Sequence, residues 1–213
     1  MKIKQIIFDF DGVIINSHKI KTKAFFYIFK NYGKNIARKA QNYHLENIGK
    51  SRYIKFRYIL KNIINFKTIK KEQINELDIA FNKYFEKKFK KLRINTNLLK
   101  FLKSEYKNYK IFISTGTPQK NINGILKKLN LSKYFKKAYG SPSSKVNHIK
   151  KIKKKNSLNL FIGDSLEDFK SAKKMKVSFL LKINSENKDF RNKYKMHKIN
   201  SFENLKKKID ILF

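Results

Sequence analysis

K-Q-I-I-F at residues 4–8 runs directly into D-F-D-G at residues 9–12, and this segment locates the first strand of the fold. A short apolar run closed by a turn predicts a buried β-strand followed by a loop. Asp9 and Asp11 would then stand at the carboxyl end of this first strand. D-x-D-G also begins calcium-binding loops, but such loops need further oxygen ligands, and V-I-I follows here instead.

Beyond this strand, the next part of the sequence has a helical pattern. Between Ser17 and Leu92 apolar residues recur at three- and four-residue steps, and proline is absent. One such series is Tyr53, Phe56, Ile59, Leu60 and Ile63. We therefore predict an all-helical segment over residues 16–94, inserted after the first strand.

The rest of the chain alternates between strand and helix signals. Strand patterns occur at residues 110–114, 158–162 and 177–183, and a shorter candidate strand near residues 137–139 ends in G-S-P at 140–142. Helical patterns occur at residues 119–129, 146–155 and 169–174. Pro118 fits the first turn of the helix that follows the second strand. Because such alternation is typical of a parallel sheet, we predict an α/β fold with a doubly wound sheet formed by residues 1–15 and 95–213.

Polar residues stand where several of these strands end. In an open parallel sheet the ligand site lies at the carboxyl ends of the strands. The residues found there are Asp9, Asp11, Ser114, Thr115, Lys145 and Asp164. Five of the fifteen carboxylates of the chain fall within residues 9–11 and 164–168. Because Lys and Arg far outnumber Asp and Glu in this chain, these local clusters of acidic residues indicate a site for a cation.

The charge balance is extreme, with 52 Lys and Arg against 15 Asp and Glu, and a net charge of +37. Such a field attracts nucleic acid, anionic lipid or phosphorylated metabolites. The alternative is a compositional origin, because AT-rich codons favour Lys, Asn, Ile and Phe together, and the lysines are spread along the chain. A nucleic-acid partner therefore stays open but is not favoured.

Composition also restricts the class of protein. Without cysteine there are no disulfides and no thiolate metal sites, and the four histidines lack zinc-finger spacing. No apolar run approaches the ~20 residues of a membrane span. We expect a soluble cytoplasmic protein with no membrane partner, and the sequence leaves its oligomeric state open.

Four motifs together resemble those of the haloacid dehalogenase-like hydrolase superfamily. They are D-F-D-G-V-I-I-N-S at 9–17, S-T-G-T-P at 114–118, G-S-P-S-S-K at 140–145 and G-D-S-L-E-D-F-K-S-A at 163–172. The resemblance covers essentially the whole chain and points to the helical-cap, phosphoglycolate phosphatase-like branch. It implies a catalytic core of residues 1–15 and 95–213 and a helical cap of residues 16–94 that closes over the site.

The resemblance implies a role for each matching residue. Asp9 would attack phosphorus to form an aspartyl-phosphate, and Asp11 would act first as general acid and then as general base. Mg²⁺ would be bound by Asp9, by the backbone carbonyl of Asp11 and by Asp164, and Asp168 would support this metal shell. Lys145 would neutralise Asp9 and the phosphoryl oxygens.

The resemblance also implies a hydroxyl that binds phosphate at the end of the second strand. T-G-T-P at residues 115–118 fits the family's S/T-x-x-P pattern, which favours Thr115 together with the Gly116 amide. Ser114, one residue earlier, remains the alternative.

The reaction and substrate follow from Asp11 and from the cap. Dehalogenases of this superfamily lack a carboxylate at the position of Asp11, so its presence implies a phosphomonoester, such as a small phosphorylated metabolite or sugar phosphate. In the cap, G-K-S-R-Y-I-K-F at residues 49–56 resembles a stretch of small capped phosphatases, so Arg52 and Lys55 are candidates for substrate contact. An exposed, non-functional Arg52 is the alternative. A phosphomutase, a nucleic-acid end phosphatase and a non-catalytic polyanion-binding protein remain the other interpretations.

Overall fold

The computed structural model describes residues 4–89 and 92–212. Over these residues the chain forms six β-strands and ten α-helices. The strands are β1 (Lys4–Phe8), β2 (Lys110–Pro118), β3 (Lys137–Ser141), β4 (Leu158–Gly163), β5 (Ser178–Lys182) and β6 (His197–Ile199). The helices are α1 (His18–Phe29), α2 (Lys34–Glu46), α3 (Arg52–Tyr58), α4 (Lys71–Phe89), α5 (Thr96–Glu105), α6 (Gln119–Lys128), α7 (Lys145–Ile152), α8 (Leu166–Lys174), α9 (Lys188–Lys193) and α10 (Leu205–Leu212). A π-helical turn, Ile59–Ile63, extends α3.

The chain divides into two compact units. The first comprises Met1–Ile15 together with Ile94–Phe213, and the second is Asn16–Arg93.

The first unit contains one sheet in which all strand pairs are parallel. Its strand order is β3-β2-β1-β4-β5-β6, so β1 lies at the centre between β2 and β4. This is the order of a doubly wound α/β sheet, and the predicted fold class is confirmed. The chain reverses direction across the sheet at β1, and ligands bind beside such a reversal at the carboxyl ends of the strands.

The central strand has no exposed face. Ile6, Ile7 and Phe8 are fully buried, as expected for a parallel strand covered on both sides. On one side Ile7 belongs to an apolar cluster with residues of β4, α7 and α8, including Phe161, Ile149, Ile152 and Ala172. Elsewhere the ring of Phe8 meets the ring of Phe101 from α5 edge to face, with centroids 6.4 Å apart. This packing fixes the position of β1 and of the turn that follows it.

The second unit is helical: its described residues, 16–89 and 92–93, form α1 to α4 with short turns and no strand. Its core is aromatic and centres on Phe25. The Phe25 ring lies 5.6 Å from Phe56, 5.7 Å from Phe81 and 4.3 Å from the stacked ring of His44. The apolar three- and four-residue steps of the sequence therefore mark the faces that pack in this unit.

The end of β2 differs from the sequence expectation. The strand continues to Pro118 rather than ending at residue 114, and Pro118 is its last residue, not part of the first turn of α6. Proline fixes only φ, and the ψ of 144° at Pro118 is extended. Among the described residues, no helix has the length and apolar character that crossing a membrane requires.

Candidate active site

Asp9 and Asp11 occupy the turn after β1. The backbone N–H of Asp9 donates to the carbonyl of Ile162 in β4 at 2.9 Å, so the first aspartate is still held by the sheet. The turn is closed by Gly12, which adopts a φ of +85° and donates its N–H to the carbonyl of Ile15 at 2.7 Å. A positive φ suits glycine, which explains the G of D-F-D-G.

Lys145 is the first residue of α7. Ser144 caps this helix by accepting a hydrogen bond from the N–H of Asn147. From there the buried Lys145 ammonium contacts two carboxylates, Asp9 at 2.8 Å and Asp168 at 2.5 Å. Burial alone would lower the pKa of Lys145, but Asp168 and Asp9 outweigh burial and raise its pKa above the usual value. The ammonium is therefore held in its charged form beside Asp9.

One carboxylate oxygen of Asp168 contacts the Lys145 ammonium, and the other takes part in the cap at the start of α8. Its Oδ2 accepts hydrogen bonds from the backbone N–H of Ser165 at 3.0 Å and from the Ser165 hydroxyl, while Ser165 Oγ accepts from the Asp168 N–H at 3.2 Å. This reciprocal capping box fixes the side chain. A Cβ on Gly163 would lie 2.5 Å from the Cβ of Asp168, so the neighbouring position has room only for glycine.

Asp164 follows β4 and is held by the segment after β5. The side-chain amide of Asn184 donates to Oδ2 of Asp164 at 2.5 Å, and the amide of Asn187 donates to the Asp164 carbonyl at 3.0 Å. Both the carboxylate and the backbone of Asp164 are therefore fixed by side chains from the neighbouring strand connection.

The carboxylates of Asp9, Asp164 and Asp168 form a buried group whose ligand atoms lie within 4.8 Å of one another. The pKa of Asp9 is raised well above its usual value, mainly by burial, which Lys145 opposes and the charges of Asp168, Asp164 and Asp11 reinforce. A divalent cation would offset this repulsion, and an all-oxygen donor set suits Mg²⁺. Asp9 and Asp164 fit best as direct ligands, because the two oxygens of Asp168 bind Lys145 and Ser165.

The end of β2 supplies hydroxyl groups. The Thr117 hydroxyl donates to Oδ2 of Asp11 at 2.9 Å, and the Thr115 hydroxyl lies 3.5 Å from the same oxygen. The Thr115 oxygen also accepts from the Thr117 N–H at 3.1 Å. Ser114 instead contacts Nδ1 of His148 at 2.9 Å. The structure therefore brings Thr115, rather than Ser114, to the side chain of Asp11.

Gly116 lies between the two threonines, where β2 departs from regular pairing. Against β3, Ser114 pairs with Tyr139 and Pro118 with Ser141, so the register shifts between these two pairs. Such bulges re-aim side chains beside active sites. The adjoining Gly140 has no room for a side chain, because a Cβ there would lie 2.6 Å from the carbonyl of Thr117.

Arg52 and Lys55, the residues predicted to contact substrate, lie on α3 in the helical unit and are both buried. Arg52 Nε lies 2.8 Å from Asp78, and its terminal nitrogen donates to Asn82 at 2.9 Å. Lys55 Nζ lies 3.1 Å from Nδ1 of His44. The interpretation of Arg52 as an exposed residue is wrong, since only 8% of it is accessible. Substrate contact by either residue stays a prediction.

Sequence reasoning missed several residues that support this site. They are Thr117, His148, Ser165, Asn184 and Asn187. Some of them carried a usable signal: Thr117 stands two residues after Thr115, and Asn184 is a polar residue just beyond the end of β5. Ser165 stands three residues before Asp168, the spacing of a capping box. His148 has no comparable signal, because its role depends on contacts with Ser114 and Gly140 from other elements.

Comparisons with known proteins agree with this geometry. The family model described as haloacid dehalogenase-like hydrolase matches residues 6–182. No protein of curated function matches the chain. Among solved structures, β-phosphoglucomutase of Clostridium difficile is similar at a TM-score of 0.74 and 20% identity, over 95% of this chain and 93% of that one.

Two further solved structures share the fold. A predicted phosphoglycolate phosphatase of Haemophilus somnus 129pt has a TM-score of 0.71 and 17% identity, over 97% of this chain and 98% of that one. The magnesium-bound HAD-hydrolase YfnB of Bacillus subtilis has a TM-score of 0.64 and 13% identity, over 96% and 97%. At these identities the likeness shows the fold, whereas the family model spans most of the sequence, and the chain therefore belongs to the haloacid dehalogenase-like hydrolases.

Proposed function

We propose that the chain is a Mg²⁺-dependent phosphomonoesterase that acts on a small phosphorylated metabolite through an aspartyl-phosphate on Asp9. The observation that carries this proposal is the buried 2.8 Å contact between Asp9 and Lys145 within a group of carboxylates. A carboxylate that attacks a phosphate dianion faces like-charge repulsion, and positive charge on both partners is needed to offset it. A lysine beside a cation site meets this need.

In the first step, an oxygen of Asp9 forms a bond to phosphorus while the bond between phosphorus and the leaving oxygen breaks. Lys145 neutralises Asp9 and the phosphoryl oxygens, and the Thr115 hydroxyl with the Gly116 amide binds one of those oxygens. Asp11 donates a proton to the leaving alkoxide. Mg²⁺ bound by Asp9, Asp164 and the Asp11 carbonyl would supply further positive charge for the phosphoryl oxygens.

In the second step, Asp11 is ionised and accepts a proton from a water molecule. The water oxygen forms a bond to phosphorus as the bond between Asp9 and phosphorus breaks, which releases inorganic phosphate and restores both carboxyl groups. Asp11 thus needs a fixed orientation in both steps, and the 2.9 Å contact with Thr117 supports this role.

The substrate class is inferred from the presence of Asp11 as a general acid for the leaving group. Protonation by Asp11 is useful when an alcohol leaves, which favours a phosphomonoester. We propose that the helical unit supplies substrate specificity through Arg52 and Lys55, and that a small metabolite rather than a polymer is bound. Family membership supports a hydrolase, while the fold alone does not select the substrate.

The test is phosphate release from sugar phosphates, phosphoglycolate, nucleotides and phosphorylated oligonucleotides, with Mg²⁺ or EDTA. We expect Mg²⁺-dependent release that is abolished in Asp9→Asn and retained in Asp189→Asn, a matched change at an exposed aspartate of α9. Release unaffected by Asp9→Asn would contradict the nucleophile. Isomerised sugar phosphate without release would indicate a mutase, and oligonucleotide turnover that falls steeply with salt would indicate an end phosphatase.

A further inference from the structure

The connection after β5 brings two asparagine side chains to Asp164. Asn184 follows β5 and contacts Oδ2 of Asp164, while Asn187, which is buried, contacts its backbone carbonyl. Neither residue belongs to a motif on which the proposed chemistry depends. Their common target is one of the two carboxylates that fit best as metal ligands.

The orientation of the Asn184 amide is dictated by its other partners. Its side-chain oxygen accepts hydrogen bonds from the N–H groups of Glu186 at 3.0 Å and Asn187 at 3.1 Å. With the amide reversed, its NH₂ would face these two donors and its oxygen would face the carboxylate of Asp164. Asn184 must therefore present its NH₂ group to Asp164.

Asn187 is fixed in the same way. Its side-chain oxygen accepts from the N–H of Asn184 at 3.2 Å, and its NH₂ group donates to the carbonyls of Asp164 and of Lys182, the latter at 2.8 Å. Each asparagine thus caps the turn of the other in a reciprocal arrangement. These hydrogen bonds hold the turn and leave one orientation for the amide group that faces Asp164.

We propose that Asn184 is a positioning residue that orients the Asp164 carboxylate for the divalent cation, so that the connection after β5 sets the Mg²⁺ affinity. This inference rests on the proposed function. An amide is suited to the task because it holds one carboxylate oxygen without adding charge to the metal site. Loss of such a partner of a metal ligand costs roughly 10–100-fold in metal affinity or activity.

The experiment is titration calorimetry of Mg²⁺ with the full chain in the absence of substrate. In Asn184→Ala we expect the Kd for Mg²⁺ to rise by about tenfold or more. The melting temperature in EDTA should fall by only about 2–4 °C, the cost of one lost turn cap, and phosphate release should recover at high Mg²⁺. Asn184→Ser, which keeps an oxygen to cap the turn but shortens the donor, should raise the Kd similarly while preserving the fold.

The matched control is Asn108→Ala. Asn108 also donates its side-chain amide to a carboxylate, Glu105, at 3.0 Å, and lies in the same unit. The Kd of the Asn108→Ala variant for Mg²⁺ should equal that of the wild type. Unchanged Kd values for Mg²⁺ in both Asn184 variants, or an equal rise in Asn108→Ala, would overturn the role of Asn184. Neither result would contradict the proposed function. A wild-type chain that binds no Mg²⁺ would instead contradict the proposed metal chemistry.

Discussion

The Thr117 hydroxyl donates a 2.9 Å hydrogen bond to Oδ2 of Asp11, the proposed acid and base. Both residues are positioned by neighbouring strands, since β1 pairs with β2 along its length. The irregular end of β2 turns Thr115 and Thr117 toward the same carboxyl oxygen. One strand end therefore contributes both the proposed phosphate-binding hydroxyl and the group that orients Asp11.

Thr117→Val should lower kcat by about 10–150-fold, because a hydrogen bond to a charged group contributes about 1.5–3 kcal/mol and a tenfold rate change is 1.36 kcal/mol. The Kd for Mg²⁺ should be unchanged, because Thr117 does not belong to the carboxylate group. Thr117→Ser keeps the hydroxyl and should retain most of the activity. Steady-state kinetics check this, and equal rates in Thr117→Val and Thr117→Ser would contradict it.

Gly163→Ala should reduce activity strongly and lower the free energy of unfolding by about 1–3 kcal/mol, the usual cost of overpacking. The added methyl would lie 2.5 Å from Asp168 and displace the carboxylate that holds Lys145. Urea unfolding and phosphate release check both effects.

The control is Gly124→Ala in α6, where an added Cβ meets nothing within 4 Å. This change should stabilise the protein by about 0.5–1 kcal/mol, because alanine suits a helix interior better than glycine. If both alanines had the same effect, crowding at Asp168 would not be the cause.

His148 should make the protein acid-sensitive. Burial lowers its pKa from 6.5 to about 4, an effect that the Gly140 carbonyl opposes and Lys145 reinforces. A histidine with a depressed folded pKa contributes stability above pH 6.5 that is lost as the pH falls toward 4. Between pH 7 and 4.5 this loss is about 2–3 kcal/mol.

Urea unfolding at these two pH values, compared between the wild type and His148→Gln, measures that contribution. The variant should lose less stability on acidification than the wild type. His197→Gln, at an exposed histidine, should behave as the wild type does. An identical pH dependence in all three proteins would contradict the assignment to His148.

Substitutions in the Arg52–Asp78 pair can distinguish a structural role of Arg52 from a role in substrate binding. Both side chains are buried, so breaking the pair by Arg52→Met or Asp78→Asn should each lower the free energy of unfolding by about 3–5 kcal/mol. If Arg52 also contacts substrate, only Arg52→Met raises KM beyond the change seen in Asp78→Asn. Equal KM values would leave Arg52 as a structural residue.

Much of the fold followed from local pattern. The strand at residues 4–8, the helical pattern after Ser17 and the later alternation of strands and helices all appear in the structure, because burial on one or both faces determines the spacing of apolar residues. Strand β6 was not predicted, because its three residues, two of them exposed, leave almost no apolar pattern.

The candidate site was predictable at its acidic residues, because negatively charged side chains are rare in this chain. Asp9, Asp164 and Asp168 stood out among few carboxylates, and the structure brings them together. Lys145 stood out only through its motif, because lysine is common here. The roles of Thr117 and Asn184 depend on the bulge in β2 and on the turn after β5, which single-residue patterns do not report.

The counter-charge of Asp9 comes from far along the sequence, since Lys145 lies 136 residues later and Asp168 follows Lys145 by another 23. During synthesis the aspartate leaves the ribosome long before either partner exists. The set of buried charges can therefore close only after β4 and the start of α8 have emerged. A chain that stops before residue 168 lacks at least one of these three charges, so it cannot complete the buried set.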